Sequence, residues 1–150
     1  MNNDILYMRL ALKEAKKSLK NDDVPIGAII VQNDKIIAKA HNMKEKLMVS
    51  TRHAEIIAIE KACKKLNSWY LSDCTLYVTV EPCLMCCGAI IQSRIKKLVY
   101  ATKNEKFGYV ESIDKVLENK KNNHSVLIEK GIYEKEAKEL IQQFFQKKRN

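Results

Sequence analysis

Glycine and proline are scarce, with four and two in 150 residues. The chain therefore has no Pro/Gly/Ser-rich linker, no low-complexity tract and no internal repeat. A single domain spanning 1–150 is the expectation, long enough to bury roughly two-thirds of its unfolded surface around one core. Long apolar runs are missing too. The opening residues alternate apolar and basic side chains, which suits neither a signal peptide nor a membrane span, so a cytoplasmic protein without membrane association is expected. Acidic residues are in deficit, eighteen against twenty-seven Lys and Arg, for a formal net charge of +9. That excess favours a polyanionic partner such as nucleic acid. The abundance of Lys, Ile and Asn makes the chain basic by composition as well, so the charge alone does not decide the matter. Five cysteines, an odd number without a secretory signal, read as thiolate ligands rather than as a disulfide framework.

Periodicity orders the rest. Ile5, Met8, Leu12, Ala15 and Leu19 recur at steps of three and four, with Lys13, Lys16, Lys17 and Lys20 elsewhere on the wheel, as in an amphipathic surface helix. Ile26 to Val31 is a short apolar run suited to a buried strand. Gln32 to Lys35 reads as a four-residue hairpin loop, and Ile36 to Ala40 as the returning strand. Thr51 is a candidate N-cap for a helix over Arg52 to Lys65. Thr75 to Val80 predicts a strand, and Cys83 to Gln92 a helix with Pro82 at or near its first position. Leu98 to Ala101 and Ser125 to Ile128 predict further strands. A final helix runs from Glu134, with Ala137, Leu140, Ile141, Phe144 and Phe145 on one face. Alternating strands and helices of this kind predict an α/β fold, a mixed sheet covered by helices.

Two short motifs carry the chemistry: His53-Ala54-Glu55 and Pro82-Cys83-Leu84-Met85-Cys86, each at a helix N-terminus. Cysteines at i and i+3 in a first turn direct two sulfurs to one side, where both can reach one tetrahedral ion. His53 can complete a three-ligand set if the two helices run side by side, leaving the fourth place for water, as a catalytic zinc site requires. The positive helix ends favour thiolates. Glu55, two residues from His53, falls beside the metal and within reach of its water, in the position of a general base. Cys87 shares a helix face with Cys83 and competes with Cys86 as a ligand. Cys63 and Cys74 have no partner at ligand spacing and read as small buried hydrophobes.

The pairing of H-x-E with P-C-x-x-C is the signature of zinc-dependent nucleobase deaminases. The chain resembles, almost end to end, the tRNA-specific adenosine deaminases of the cytidine deaminase superfamily. The likeness rests on Asp23 to Ala28, on Thr51 to Glu55, on the stretch TLYVTVEPCLMCCGAIIQSR from Thr75 to Arg94, on Asn123-His124 and on Phe144 to Arg149. The resemblance implies a three-layer α/β/α domain with a five-stranded mixed sheet. It also implies a homodimer and hydrolytic deamination of adenosine to inosine at the wobble position of a tRNA anticodon stem-loop, with one Zn2+ per subunit. Asn42 matches a position that hydrogen-bonds the target nucleoside, and Val24, Ala54 and Val80 match walls around the flipped base. Phe144, Phe145 and Arg149 form a basic, aromatic end for RNA contact, with at least one Phe expected in the core. Two departures stand out. Arg52 replaces the small residue usual before the His in bacterial members. In the loop Lys103 to Tyr109, expected beside the substrate backbone, Asn104 stands where the family usually has Asp and Tyr109 where it has a small residue. A neutral amide there removes a repulsion of about 1 kcal/mol with phosphate, which would relax selectivity between RNA and DNA. The rival readings are a deaminase of free guanine, cytosine or their nucleosides, which shares the metal motifs, and a non-catalytic zinc-stabilised RNA-binding module. Glu55 has no use in the latter.

Overall fold

The computed structural model describes residues 3–149. Its elements, in chain order, are α1 (Asp4–Lys17), β1 (Gly27–Gln32), β2 (Lys35–His41), a short α2 (Lys44–Leu47), α3 (Ala54–Leu66), β3 (Cys74–Val80), α4 (Leu84–Ser93), β4 (Lys97–Thr102), β5 (Leu127–Lys130) and α5 (Glu134–Arg149), with 3-10 turns at Ser18–Asn21 and Val116–Glu118. The five strands form one sheet in the order β2-β1-β3-β4-β5. β1 is antiparallel to β2 and β3, while β3, β4 and β5 are mutually parallel.

Strict alternation in the strands builds two cores. Ala28 and Ile30 of β1, Leu76 and Val78 of β3, and Leu98 and Tyr100 of β4 face α3 and α4. Their sequence neighbours Ile29, Val31, Tyr77, Val99 and Ala101 face α1 and α5. Successive residues of a strand point to opposite faces, so a sheet buried on both sides reads as continuous apolar runs. The expected three-layer α/β/α architecture with a five-stranded mixed sheet is what the chain forms. No described helix is long and apolar enough to cross a membrane.

Several boundaries differ from expectation, each for a local reason. The β1–β2 hairpin turns on two residues rather than four: Gln32 pairs with Lys35, and Asn33 and Asp34 both take left-handed backbone (φ 49° and 62°). That geometry matches the twist of the flanking strands, and Asn and Asp tolerate it. In α1 the buried face is centred on Tyr7, Met8, Ala11, Leu12 and Ala15, while Ile5 and Leu19 are exposed. A Cβ on Gly27 would lie 2.0 Å from Ala11 O, so α1 rides close on β1 and its small residues sit at the centre of the contact. β5 begins two residues later than Ser125. Asn123 Nδ2 donates to Ile91 O at 3.1 Å and His124 Nε2 lies 2.8 Å from Ile95 O, which ties the incoming chain to the end of α4 before pairing with β4 starts at Leu127.

Candidate active site

The two motifs meet where α3 and α4 begin. α3 starts at Ala54, and neither Thr51 nor Arg52 is part of its cap. His53 is the N-cap residue, in extended backbone (φ −77°, ψ 152°), and makes no side-chain cap bond. Cys83 is the N-cap of α4 in the same conformation (φ −75°, ψ 176°), again with no side-chain cap bond. Pro82 accordingly precedes the cap instead of occupying the first helical position. An N-cap side chain ordinarily accepts a bond from its own helix. Here both side chains are withheld from that task and left to face each other. At α3 the duty passes to Asn42, whose Oδ1 accepts the Ala54 N–H at 2.8 Å.

Both sulfurs lie 3.7 Å from His53 Nδ1, Cys83 from the N-cap of α4 and Cys86 from its first turn. The three ligand atoms fall within 4.8 Å of one another. Bonds of about 2.3 Å to sulfur and about 2.0–2.1 Å to nitrogen at a tetrahedral angle place S and N about 3.6 Å apart, so the trio fits one zinc ion without moving the backbone. Electrostatics agree. The Cys86 thiol donates toward the Cys83 sulfur, and with His53 this holds Cys83 well below the ordinary thiol range despite burial. Cys86 is pushed up by that same thiolate and by burial. A cation between the two sulfurs would favour the ionised form of both. Among the described residues no other His, Cys or carboxylate trio converges in this way. Cys87 stays out: it is buried, its Sγ lies 3.7 Å from Pro82 O, and burial pushes its thiol up.

Glu55 is the second residue of α3 and is 3% exposed. Its Oε1 is buried with no hydrogen-bond partner in the protein. Burial pushes the carboxyl up to about 7; its own backbone N–H opposes the rise, and the Cys83 thiolate adds to it. A buried carboxylate oxygen left without a donor costs free energy, so this atom is held for something other than the fold.

The remaining expected site residues are distributed around this centre. Ala54 and Val80 are buried and Val24 is half-buried. Asn42 is 7% exposed, and Ser18 Oγ donates to its carbonyl at 2.9 Å. With Oδ1 committed to Ala54, its amide offers the Nδ2 donor. Asn104 gives its N–H to Glu81 and accepts the Phe107 N–H on Oδ1 at 3.2 Å, so it shapes its own loop. Phe144 is buried and Phe145 exposed; Lys148 stacks over the Phe144 ring and pairs with Asp22. A groove lined by Leu19, Asp22, Leu140, Phe144 and Lys147 lies between α5 and the Ser18–Asn21 turn. Phe144, Phe145 and Arg149 do not join the metal cluster.

Two residues here escaped sequence reasoning. Asp23 is buried and accepts the Glu45 N–H at 2.8 Å, tying α2 to the segment before β1. Glu81 is 2% exposed and accepts five hydrogen bonds from residues 104–112. A lone carboxylate ending the apolar run of β3 was the available signal for it.

Relatives place this geometry in a family. The model of the MafB19-like deaminase family matches residues 2–149. A tRNA-specific adenosine deaminase of Aquifex aeolicus is 46% identical over 144 residues, 96% of this chain and 95% of the relative. That of Bacillus subtilis is 42% identical over 149 residues, 99% and 92% of the two chains. A solved structure of a tRNA:A34 deaminase, from work on A-to-I editing at the wobble position of transfer RNA, superposes with a TM-score of 0.86 at 38% identity, covering 90% of this chain and 98% of that one. With matches of this extent across sequence, fold and motif, the chain belongs to the tRNA-specific adenosine deaminase family.

Proposed function

We propose that this protein deaminates adenosine to inosine hydrolytically at the wobble position of a tRNA anticodon, with zinc held by His53, Cys83 and Cys86. The observation that carries the reading is the unpartnered Glu55 oxygen, buried beside a His/Cys/Cys trio that fits one ion. A zinc ion bound there supplies a water that ionises near neutral pH. Glu55 takes a proton from the attacking water and delivers it to N1 of the adenine as C6 is attacked, then takes the remaining proton from the new C6 hydroxyl and passes it to the exocyclic amine, which leaves as ammonia. One carboxylate serves every transfer because it is fixed on a helix and shielded from solvent.

Asn42 orients the nucleoside through its amide, and Val24, Ala54 and Val80 enclose the flipped base. Asn104 lies in the loop that meets the substrate backbone, while Phe144, Phe145 and Arg149 belong to the basic end of the chain that meets RNA. Extruding an adenine costs least in an anticodon loop, whose bases are already partly splayed. The family resemblance supports a cytoplasmic homodimer, and the net charge of +9 suits an RNA partner.

The test is to incubate purified protein with a tRNA pool and read adenosine-to-inosine changes, before and after chelation and re-addition of zinc. Inosine confined to the wobble position, lost on chelation and restored by zinc, is the expected result. Deamination of free guanine or cytosine without action on tRNA would overturn it.

A further inference from the structure

Residues 103–112, which follow β4, form no regular element, yet their backbone donors converge on one side chain. Glu81 Oε1 accepts the Asn104 N–H at 3.0 Å and the Ser112 hydroxyl at 2.5 Å. Oε2 accepts the N–H groups of Val110, Glu111 and Ser112 at 3.0, 2.7 and 2.9 Å. The bonds gather both ends of the loop, so they fix the shape of what lies between. The contact also needs glycine opposite: a Cβ on Gly108 would lie 2.2 Å from Glu81 Cδ. From there the loop runs onto the ligand segment. Gly108 forms an antiparallel bridge with Cys83, and the Tyr109 N–H donates to Pro82 O at 3.0 Å. The tip between these anchors buries little, with Lys103, Glu105, Lys106 and Phe107 all exposed.

Only an ionised carboxylate suits the position. It accepts at both oxygens, whereas a Gln amide would turn N–H donors toward loop N–H groups. An apolar residue would take the acceptor from four backbone donors, that of Val110 buried and the others partly so. The residue that meets these demands stands two positions before Cys83, so the loop is registered against the ligand segment itself.

We propose that Glu81 is a positioning residue for the reaction: it holds the 104–112 loop against Cys83 so that the exposed tip meets the polynucleotide flanking the reacting base. This rests on the tRNA reading above. Every side-chain hydrogen bond of Glu81 goes to the loop and none to His53, Cys83 or Cys86, so its loss should weaken substrate engagement and spare the chemistry. The deciding comparison is Glu81→Gln against Tyr77→Phe, which removes a bond to Asp4 in the opposite layer and serves as a remote destabilised control.

In Glu81→Gln, amide exchange at Val110, Glu111 and Ser112 should speed up at least about tenfold, because the bonds protecting them are gone. KM for an anticodon stem-loop should rise about tenfold with kcat within about threefold of the parent. Zinc should remain at one per chain, and Tyr77→Phe should leave KM in place. Ser112→Ala, which removes a single donor, should shift KM the same way by about threefold, and it decides the matter if Glu81→Gln does not fold. Faster exchange with unchanged KM would reduce Glu81 to scaffolding. Loss of zinc and kcat with KM intact would place its effect on the ligands instead. Either result overturns the proposal. If the parent protein does not act on the stem-loop, the tRNA reading fails on its own, and binding of a fluorescent stem-loop replaces KM as the readout.

Discussion

Glu55 and Glu81 are both almost wholly buried, 3% and 2% exposed, and each stands two residues from a member of the His/Cys/Cys trio, Glu55 after His53 and Glu81 before Cys83. Their surroundings are opposite. Burial pushes the Glu81 carboxyl up, but the Ser112 hydroxyl and the N–H groups of Glu111, Ser112 and Asn104 outweigh it and hold the group below the ordinary carboxylate range. Glu55 keeps one oxygen unpartnered and is pushed up to about 7. The lesson is that burial of a charge does not distinguish structure from chemistry; the number of donors aimed at it does.

The sharpest way to break this contrast is Glu55→Gln. It should lower turnover by at least about a thousandfold, the scale of a lost acid–base group, while zinc content and fold persist. Activity within tenfold of the parent would remove Glu55 from the proton path. Glu81→Gln should do the reverse to stability, costing about 3 kcal/mol by leaving buried donors without a full acceptor. In a chain of this size that is a fall in Tm of about 6–12 °C, read by calorimetry at neutral pH; an unchanged Tm would void the role assigned to its bonds.

The two groups should also act on stability in opposite pH windows, measured on metal-stripped protein. Glu55 has a folded value near 7, above the ordinary 4.5. The folded state therefore binds the extra proton between these values, so the Glu55 contribution favours the folded state as pH falls from 7 to 4.5, read as the difference between the parent and Glu55→Gln profiles. Glu81 is lowered, so its contribution is present above the ordinary carboxylate value and is lost as pH falls through its depressed folded value. Glu55→Gln should flatten the first limb and Glu81→Gln the second. A single monotonic profile, unaltered by either change, would contradict both assignments.

The smallest effect belongs to the edge of the Glu81 region. Asn104→Asp places a carboxylate beside the loop that Glu81 anchors and nearer substrate phosphate. It should increase discrimination between an RNA stem-loop and single-stranded DNA about fivefold, the equivalent of about 1 kcal/mol. Unchanged discrimination between the two substrates would sink the idea.

How much of this was legible in the sequence depends on the distance over which each feature is written. His53-Ala54-Glu55 and Pro82 to Cys86 are local, and the i, i+3 spacing alone puts Cys83 and Cys86 on one side. Strand alternation exposes the two cores in the same way. The hairpin turn was shortened by a preference of Asn33 and Asp34 that period counting does not weigh. The burial of Ala11 and Ala15 at the centre of α1 depends on Gly27, sixteen and twelve residues away. The role of Glu81 was hidden for the same reason: its partners lie from Asn104 to Ser112, and only the fold brings them over it. Asn42, expected at the nucleoside, also accepts the first N–H of α3, a duty that no pattern in the sequence around it records.

The withheld caps of α3 and α4 have a thermodynamic consequence. His53 and Cys83 are thirty positions apart, and a metal ion joining them to Cys86 would be a cross-link closing that stretch of chain and tying together two helices. Whatever binds the folded form and not the unfolded one raises the cost of unfolding by mass action, about 2.7 kcal/mol at a free concentration one hundred times Kd. The same ion that equips the site would then act as a reporter of its own supply, because the amount of folded protein surviving in a metal-poor cell would fall before any residue of the site was altered.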